Sequence, residues 1–143
     1  MSKEEFIKAL KKHKEVVCLC EFGSYGTEYW NEGRSDIDLL VVVGPKVALF
    51  DTFDLEDHIL EIARRFYEYD NIHLSFVLFK DLVNKYARLA VDSDIKYIIN
   101  EARWYDFNHY VLKAARNNER LEKTLKLDEQ YCYFGGIVDE SLL

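Results

Sequence analysis

The stretch that most limits what this chain can fold into runs from Asp36 to Val43. Two acids flank Ile37, five aliphatic residues follow without a break (Leu39–Val43), and Gly44-Pro45 stops the run. A strand that is apolar on both faces belongs in the middle of a sheet with cover above and below. Five residues also fall far short of the ~20 that a membrane-spanning helix needs.

The flanking segments supply that cover. Ser2-Lys3-Glu4-Glu5 has the form of a capping box, and Phe6, Ile7 and Leu10 follow at helical spacing, so a helix is expected over Ser2–His13. Val16–Phe22 is β-branched and apolar and reads as a strand that ends at Gly23-Ser24. Tyr25–Trp30 reads as a short helical turn, and Asp36–Val43 as the central strand. Leu55, Ile59, Ile62, Ala63 and Phe66 trace one helical stripe within Asp54–Tyr69. Ile72–Phe79 reads as a third strand and Asp81–Leu89 as a further helix. Asp92-Ser93-Asp94 looks like a helix start leading through Ile95, Ile98 and Ile99; Ala102–Tyr105 reads as a short edge strand, and Asn108–Lys126 as a long helix. The 143 residues amount to about one domain, and with no repeat or linker the simplest account is one α/β domain with a C-terminal helical extension. The core is expected over residues 1–105. Residues 106–143 are expected as a helix and tail that pack on the core or on a partner, because the tail's apolar knot, Tyr131–Val138, has few companions in so small a domain.

Charge narrows the partners. Nineteen basic against 26 acidic residues give a net charge of −7, the opposite sign from a protein that coats nucleic acid. A polyanionic ligand must then be small, locally cradled or escorted by a cation. Cys18, Cys20 and Cys132 are odd in number and form no disulfide framework. Cys18 and Cys20 share a strand face and are expected as buried thiols, and no second Cys or His pair stands at zinc-ligand spacing. His13, His58 and His109 likewise show no mutual metal spacing and are expected on surfaces or helix faces. The start Met1-Ser2-Lys3-Glu4-Glu5 lacks the apolar segment of a signal peptide, so the expected location is cytoplasmic, away from any membrane.

The chemistry is concentrated in Gly23-Ser24-Tyr25-Gly26-Thr27-Glu28 and Gly33-Arg34-Ser35-Asp36-Ile37-Asp38. A strand that ends in Gly-Ser before a helical turn aims unpaired backbone N–H groups outward. Gly23 permits close approach and the Ser24 hydroxyl adds a donor, an arrangement suited to phosphate. Alternation along a strand points Asp36 and Asp38 the same way, roughly 6–7 Å apart. Two such carboxylates repel unless a cation lies between them, and hard oxygen ligands suit Mg²⁺.

Gly23–Val43 resembles the signature of the DNA polymerase β-like nucleotidyltransferases, in which Gly-Ser precedes an Asp-x-Asp. The short chain, the early motif and the apolar run after Asp38 look most like the minimal members, often antitoxin partners of small helical HEPN-domain proteins. The resemblance implies a mixed sheet flanked by helices and Mg²⁺-dependent attack on the α-phosphate of an NTP, ATP or another, with release of pyrophosphate. By that analogy Gly23 and Ser24 hold the triphosphate, while Asp36 and Asp38 hold metal, two ions in an active site. The acceptor would be a hydroxyl on a protein or small molecule, with AMP the expected group transferred and nucleic acid not expected as partner. The alternative is a weakened, nucleotide-binding antitoxin or regulatory subunit of a HEPN-type protein, with self-association also open.

The chain departs from that pattern in three places, one of them a loop between the motif halves that is about one residue longer than usual. Relatives commonly supply a third carboxylate from the next core strand, and the matching position here is His73. Three readings of His73 stand side by side: a solvent-facing side chain, a base that takes the acceptor's proton, or the mark of a site that kept its fold and lost catalytic power. Thr27 stands where relatives often carry Arg, and Arg34 either supplies that phosphate-facing charge or is a solvated loop residue. Trp104, Tyr105, Phe107 and Tyr110 form an aromatic cluster suited to helix packing or to stacking a base. Lys113, Arg116, Arg120 and Lys123 form a basic stripe, solvated or facing an acidic partner.

Overall fold

The computed structural model describes residues 1–48, 51–79 and 85–134, with side chains up to residue 120 apart from 118. The order of elements is α1 (Lys3–Lys11), β1 (Val16–Phe22), β2 (Ile37–Val43), α2 (Thr52–Tyr67), β3 (Ile72–Val77), α3 (Lys85–Asp92), β4 (Lys96–Ile98) and α4 (Glu101–Phe134). The chain divides into two units, Met1–Val111 and Leu112–Leu143. The first unit holds the sheet; the described part of the second is helical, within the span of α4.

The sheet has the order β3-β2-β1-β4. β1 is antiparallel to β2 and β4, and β2 is parallel to β3, so the sheet is mixed. β2 is flanked on both sides, as its sequence requires. Leu39 through Val43 are all fully buried, each side chain contributing about 1.5–3 kcal/mol relative to exposure. Alternation sorts β2 between two cores. Ile37, Leu39, Val41 and Val43 pack with Phe6 and Leu10 of α1 and Leu55, Ile59 and Ala63 of α2. Leu40 and Val42 pack with Ala87 and Ala90 of α3 and with Trp104, Phe107 and Val111 of α4. The Ser2 hydroxyl accepts from the Glu5 N–H at 3.2 Å and caps α1, as the capping-box pattern predicts.

Cys18 and Cys20 are buried free thiols with Sγ atoms 3.6 Å apart. The hydrogen bond to Cys20, and after it burial, pushes the Cys18 thiol far above its usual range, which keeps it protonated. The side chain of Cys132 lies outside the described residues, as do residues 81–84 of the expected 81–89 helix; of the tail's apolar knot, 131–134 end α4, while 135–138 and the side chains of 131–134 lie outside the described residues.

The stretch 92–105 differs from expectation. Lys96–Ile98 is a strand, with Cys18 opposite Ile98 and Cys20 opposite Lys96, and Ala102–Tyr105 belongs to α4. Ile95, Ile98 and Ile99 mimic helical spacing, but the pairing that decides the matter comes from β1, far away in sequence. Trp104 and Phe107 are buried in packing, whereas Tyr105 and Tyr110 are exposed. Lys113, Arg116 and Arg120 are exposed, and the side chain of Lys123 lies outside the described residues. Among the described residues no helix is long and apolar enough to cross a membrane.

Candidate functional site

Topology brings the motif halves together. Because β1 and β2 are antiparallel, the end of β1 lies beside the start of β2, with Phe22 opposite Asp38. Because β2 and β3 are parallel, the start of β3 reaches the same edge, with Asp38 opposite His73. Three strand ends thus meet at one rim of the sheet.

Asp38 is half-buried, on the strand face opposite Ile37, which is sunk into the α1/α2 core. A Cβ built on Gly23 would stand 2.6 Å from Asp38 Oδ2, and Gly23 has φ +75°. The position therefore excludes a side chain twice over, by contact and by backbone. His73 Nδ1 lies 3.7 Å from Asp38 Oδ1, the two side chains 64% and 32% exposed. Asp36 is exposed and stands one residue before β2 begins, so the strand starts later than expected. Its carbonyl accepts from Trp30 Nε1 at 3.4 Å. Arg34 is exposed on an outer turn, where its N–H donates to the Asn31 carbonyl at 3.1 Å. Its guanidinium has no partner among the described residues.

The segment after Ser24 is a succession of turns where a helical start was expected. The Ser24 carbonyl receives both the Thr27 N–H at 3.0 Å and the Thr27 hydroxyl at 2.6 Å. The Thr27 hydroxyl in turn accepts from the Tyr29 N–H at 3.3 Å. A threonine at this position shapes the bend, a local hydrogen-bonding role that an arginine would not fill. The bend therefore presents turn backbone, without the dipole of a helix start.

Three residues that the sequence did not single out support this rim. The Tyr69 hydroxyl donates to the Ser35 carbonyl at 2.6 Å and accepts from the Gly33 N–H at 3.0 Å, pinning the approach to Asp36. Tyr67 donates to Glu21 Oε2 at 2.7 Å, while its ring meets Tyr25 edge-on at 5.7 Å. Burial raises the Glu21 carboxyl above its ordinary value, and the Tyr67 hydrogen bond opposes part of that rise. Burial, and then Glu21 itself, pushes the Tyr67 phenol far above its usual range. A glutamate in an otherwise apolar strand, two residues before Gly23, was the available signal. A cavity of about 370 Å³ lined by Glu21, Gly23, Tyr25, Thr27, Ser93 and Ile95 opens beside the bend.

Among the described residues no group of three or more His, Cys, Asp or Glu side chains is arranged to hold a metal ion. The rim holds the carboxylate of Asp38, and Asp36 stands two residues before it in the chain. That donor set fits Mg²⁺, which commonly takes one or two carboxylates and fills the rest of its shell with water and substrate phosphates.

The family model of a nucleotidyltransferase domain matches residues 3–105. Among solved structures, a chain in the crystal structure of a mutant of the toxin–antitoxin MntA-HpeT has a similar fold. Its TM-score is 0.53 at 13% identity, with 90% of this chain and 98% of that one covered. At that identity the likeness speaks for the fold alone. No curated protein matches the chain.

Proposed function

The chain belongs to the nucleotidyltransferase domain family, and from that premise we propose that it transfers a nucleoside monophosphate, AMP in our reading, from an NTP to a hydroxyl on a protein or small molecule. The observation that carries the reading is the closeness of Gly23 to Asp38, where a Cβ would meet the carboxylate at 2.6 Å. A bend able to receive phosphates and a carboxylate able to bind a hard cation share one small space. The fold neighbour's mutant has two aspartates, separated by one residue, changed to glutamate. The same spacing separates Asp36 from Asp38.

In this reading the exposed N–H groups of the bend and the Ser24 hydroxyl bind the triphosphate, and Tyr69 and Thr27 hold the loop in shape. Arg34, exposed on the outer turn, is free to swing toward the phosphates. Asp36 and Asp38 would hold Mg²⁺, which when bound neutralises phosphate charge and lowers the pKa of the attacking hydroxyl. The acceptor oxygen forms its bond to the α-phosphorus, the bond to the bridging oxygen breaks, and pyrophosphate leaves. The acceptor's proton goes to His73, whose Nδ1 faces Asp38 at 3.7 Å and whose Nε2 is the nitrogen left to receive it.

A second reading has one observation in its favour. The β3 position opposite Asp38 carries His73, a neutral and softer group than a third carboxylate. A site so altered suits a nucleotide-binding antitoxin or regulatory partner of a small helical HEPN-type protein. One assay divides the two: the protein with Mg²⁺, each α-labelled NTP and candidate acceptors, beside an Asp36→Asn/Asp38→Asn control. Label transfer that the control lacks supports the enzyme; bound nucleotide with no transfer to any acceptor supports the regulatory partner. His73→Asp sharpens the division. If the site is catalytic but short of one ligand, this variant tightens Mg²⁺ dependence and raises transfer several-fold; if His73 is the working base, transfer falls.

A further inference from the structure

At the other end of β1 and β2 from the Gly23 bend, a cavity of about 420 Å³ is lined by His13, Glu15, Lys46, Asp51, Asp54 and His58 with two apolar neighbours. His13 lies just past α1 and His58 within α2, and packing of those helices, with Phe6 stacked on Phe66 at 4.1 Å, brings the histidines together. Their rings lie 5.5 Å apart, centre to centre, tilted by 32°. Neither imidazole has a hydrogen-bond or ion-pair partner among the described residues. Two imidazoles on one tetrahedral ion have ring centres about 5.3 Å apart, given a metal–nitrogen bond of ~2.1 Å and ~1.1 Å from nitrogen to ring centre. The observed separation matches that geometry.

We propose that His13 and His58 form a two-histidine site for a borderline divalent transition metal of the Zn²⁺ class, distinct from the carboxylate rim. Imidazole nitrogen selects Zn²⁺, Ni²⁺ or Co²⁺ over Mg²⁺. Asp54 stands one helical turn before His58, and Glu15, Asp51 and Asp54 outweigh Lys46 in charge, so the cavity favours a cation. Since no three ligating side chains converge among the described residues, water completes the shell and the ion exchanges readily. A bound ion ties the end of α1 to α2, so it stabilises the folded state by mass action.

The test titrates Zn²⁺ and Co²⁺ into the untagged full chain carrying Asp36→Asn/Asp38→Asn, which removes the other carboxylate pair as a competitor. Calorimetry is expected to show one equivalent bound and a raised melting temperature, neither suppressed by millimolar Mg²⁺. His13→Gln or His58→Gln is expected to weaken binding at least tenfold. Imidazole ¹⁵N spectra of the parent protein are expected to show two of the four histidines shifting with metal, and those spectra carry the test alone if a variant fails to fold. The proposal is overturned if no heat is seen, if both variants bind within twofold of the parent, or if the shifting resonance is His73 or His109.

Discussion

Gly23 concentrates the site's constraints in one residue. In Gly23→Ala the new methyl would meet Asp38 Oδ2 at 2.6 Å while the backbone holds φ +75°. A left-handed conformation costs an L-residue roughly 1–2 kcal/mol, so a drop of a few degrees in melting temperature is expected. The larger effect belongs to activity, because relief of the contact requires either the bend or the Asp38 carboxylate to move. Nucleotidyl transfer is expected to fall at least a hundredfold, and a melt measured beside the transfer assay separates the two effects. Glu21 gives a second residue-scale prediction. Its folded pKa is raised by burial above the ordinary 4.5, so the folded state binds the proton more tightly than the unfolded chain. Stability from this group is therefore full below pH 4.5 and declines as pH rises through the folded value. Glu21→Gln keeps an acceptor for the Tyr67 hydroxyl and removes the charge. Its melting temperature is expected to equal that of the parent in acid and to exceed it by an increasing margin toward neutral pH; a constant difference across pH would contradict the assignment.

At the scale of elements, what could be read from the sequence followed how local each determinant is. β1 and β2 carry their own evidence, since their aliphatic residues must be buried whatever the neighbours. The closeness of Gly23 to Asp38 was implicit in two strands joined by one connection. β4 was not legible, because a three-residue strand exists only through its pairing with β1. Glu21 and Tyr67 meet across 46 positions of sequence, and Tyr69 reaches back 34 positions to Ser35; neither pairing leaves a periodic trace. The short helix expected after Ser24 fails for a local reason, because the Thr27 hydroxyl takes the Ser24 carbonyl and closes a turn. The connection between β1 and β2 therefore depends on distant tyrosines for its order. Tyr69→Phe leaves the Gly33 N–H and the Ser35 carbonyl without their shared partner at an exposed rim, where water replaces it. Stability is expected to fall by no more than about 1 kcal/mol, while the KM for nucleotide rises several-fold and kcat changes less. A steady-state comparison with the parent protein checks that split.

At the scale of the whole molecule, the question is how much of α4 the sheet needs. Phe107 and Val111 are fully buried in the α3/α4 core, and the first unit ends at Val111. A chain cut after residue 105 loses both side chains, whereas one cut after 111 keeps them. Loss of a buried Phe alone costs about 3–5 kcal/mol, a large fraction of the 5–15 kcal/mol that holds a typical domain folded. The shortened chain 1–111 is expected to melt cooperatively with near-native aromatic circular dichroism, and 1–105 to melt at least 10 °C lower or to be unfolded. If transfer to a small-molecule acceptor takes place at the rim as proposed, 1–111 is expected to retain it. A loss of transfer in 1–111 with its fold intact would locate part of the acceptor's recognition in residues 112–143 and redraw the limits of the active unit.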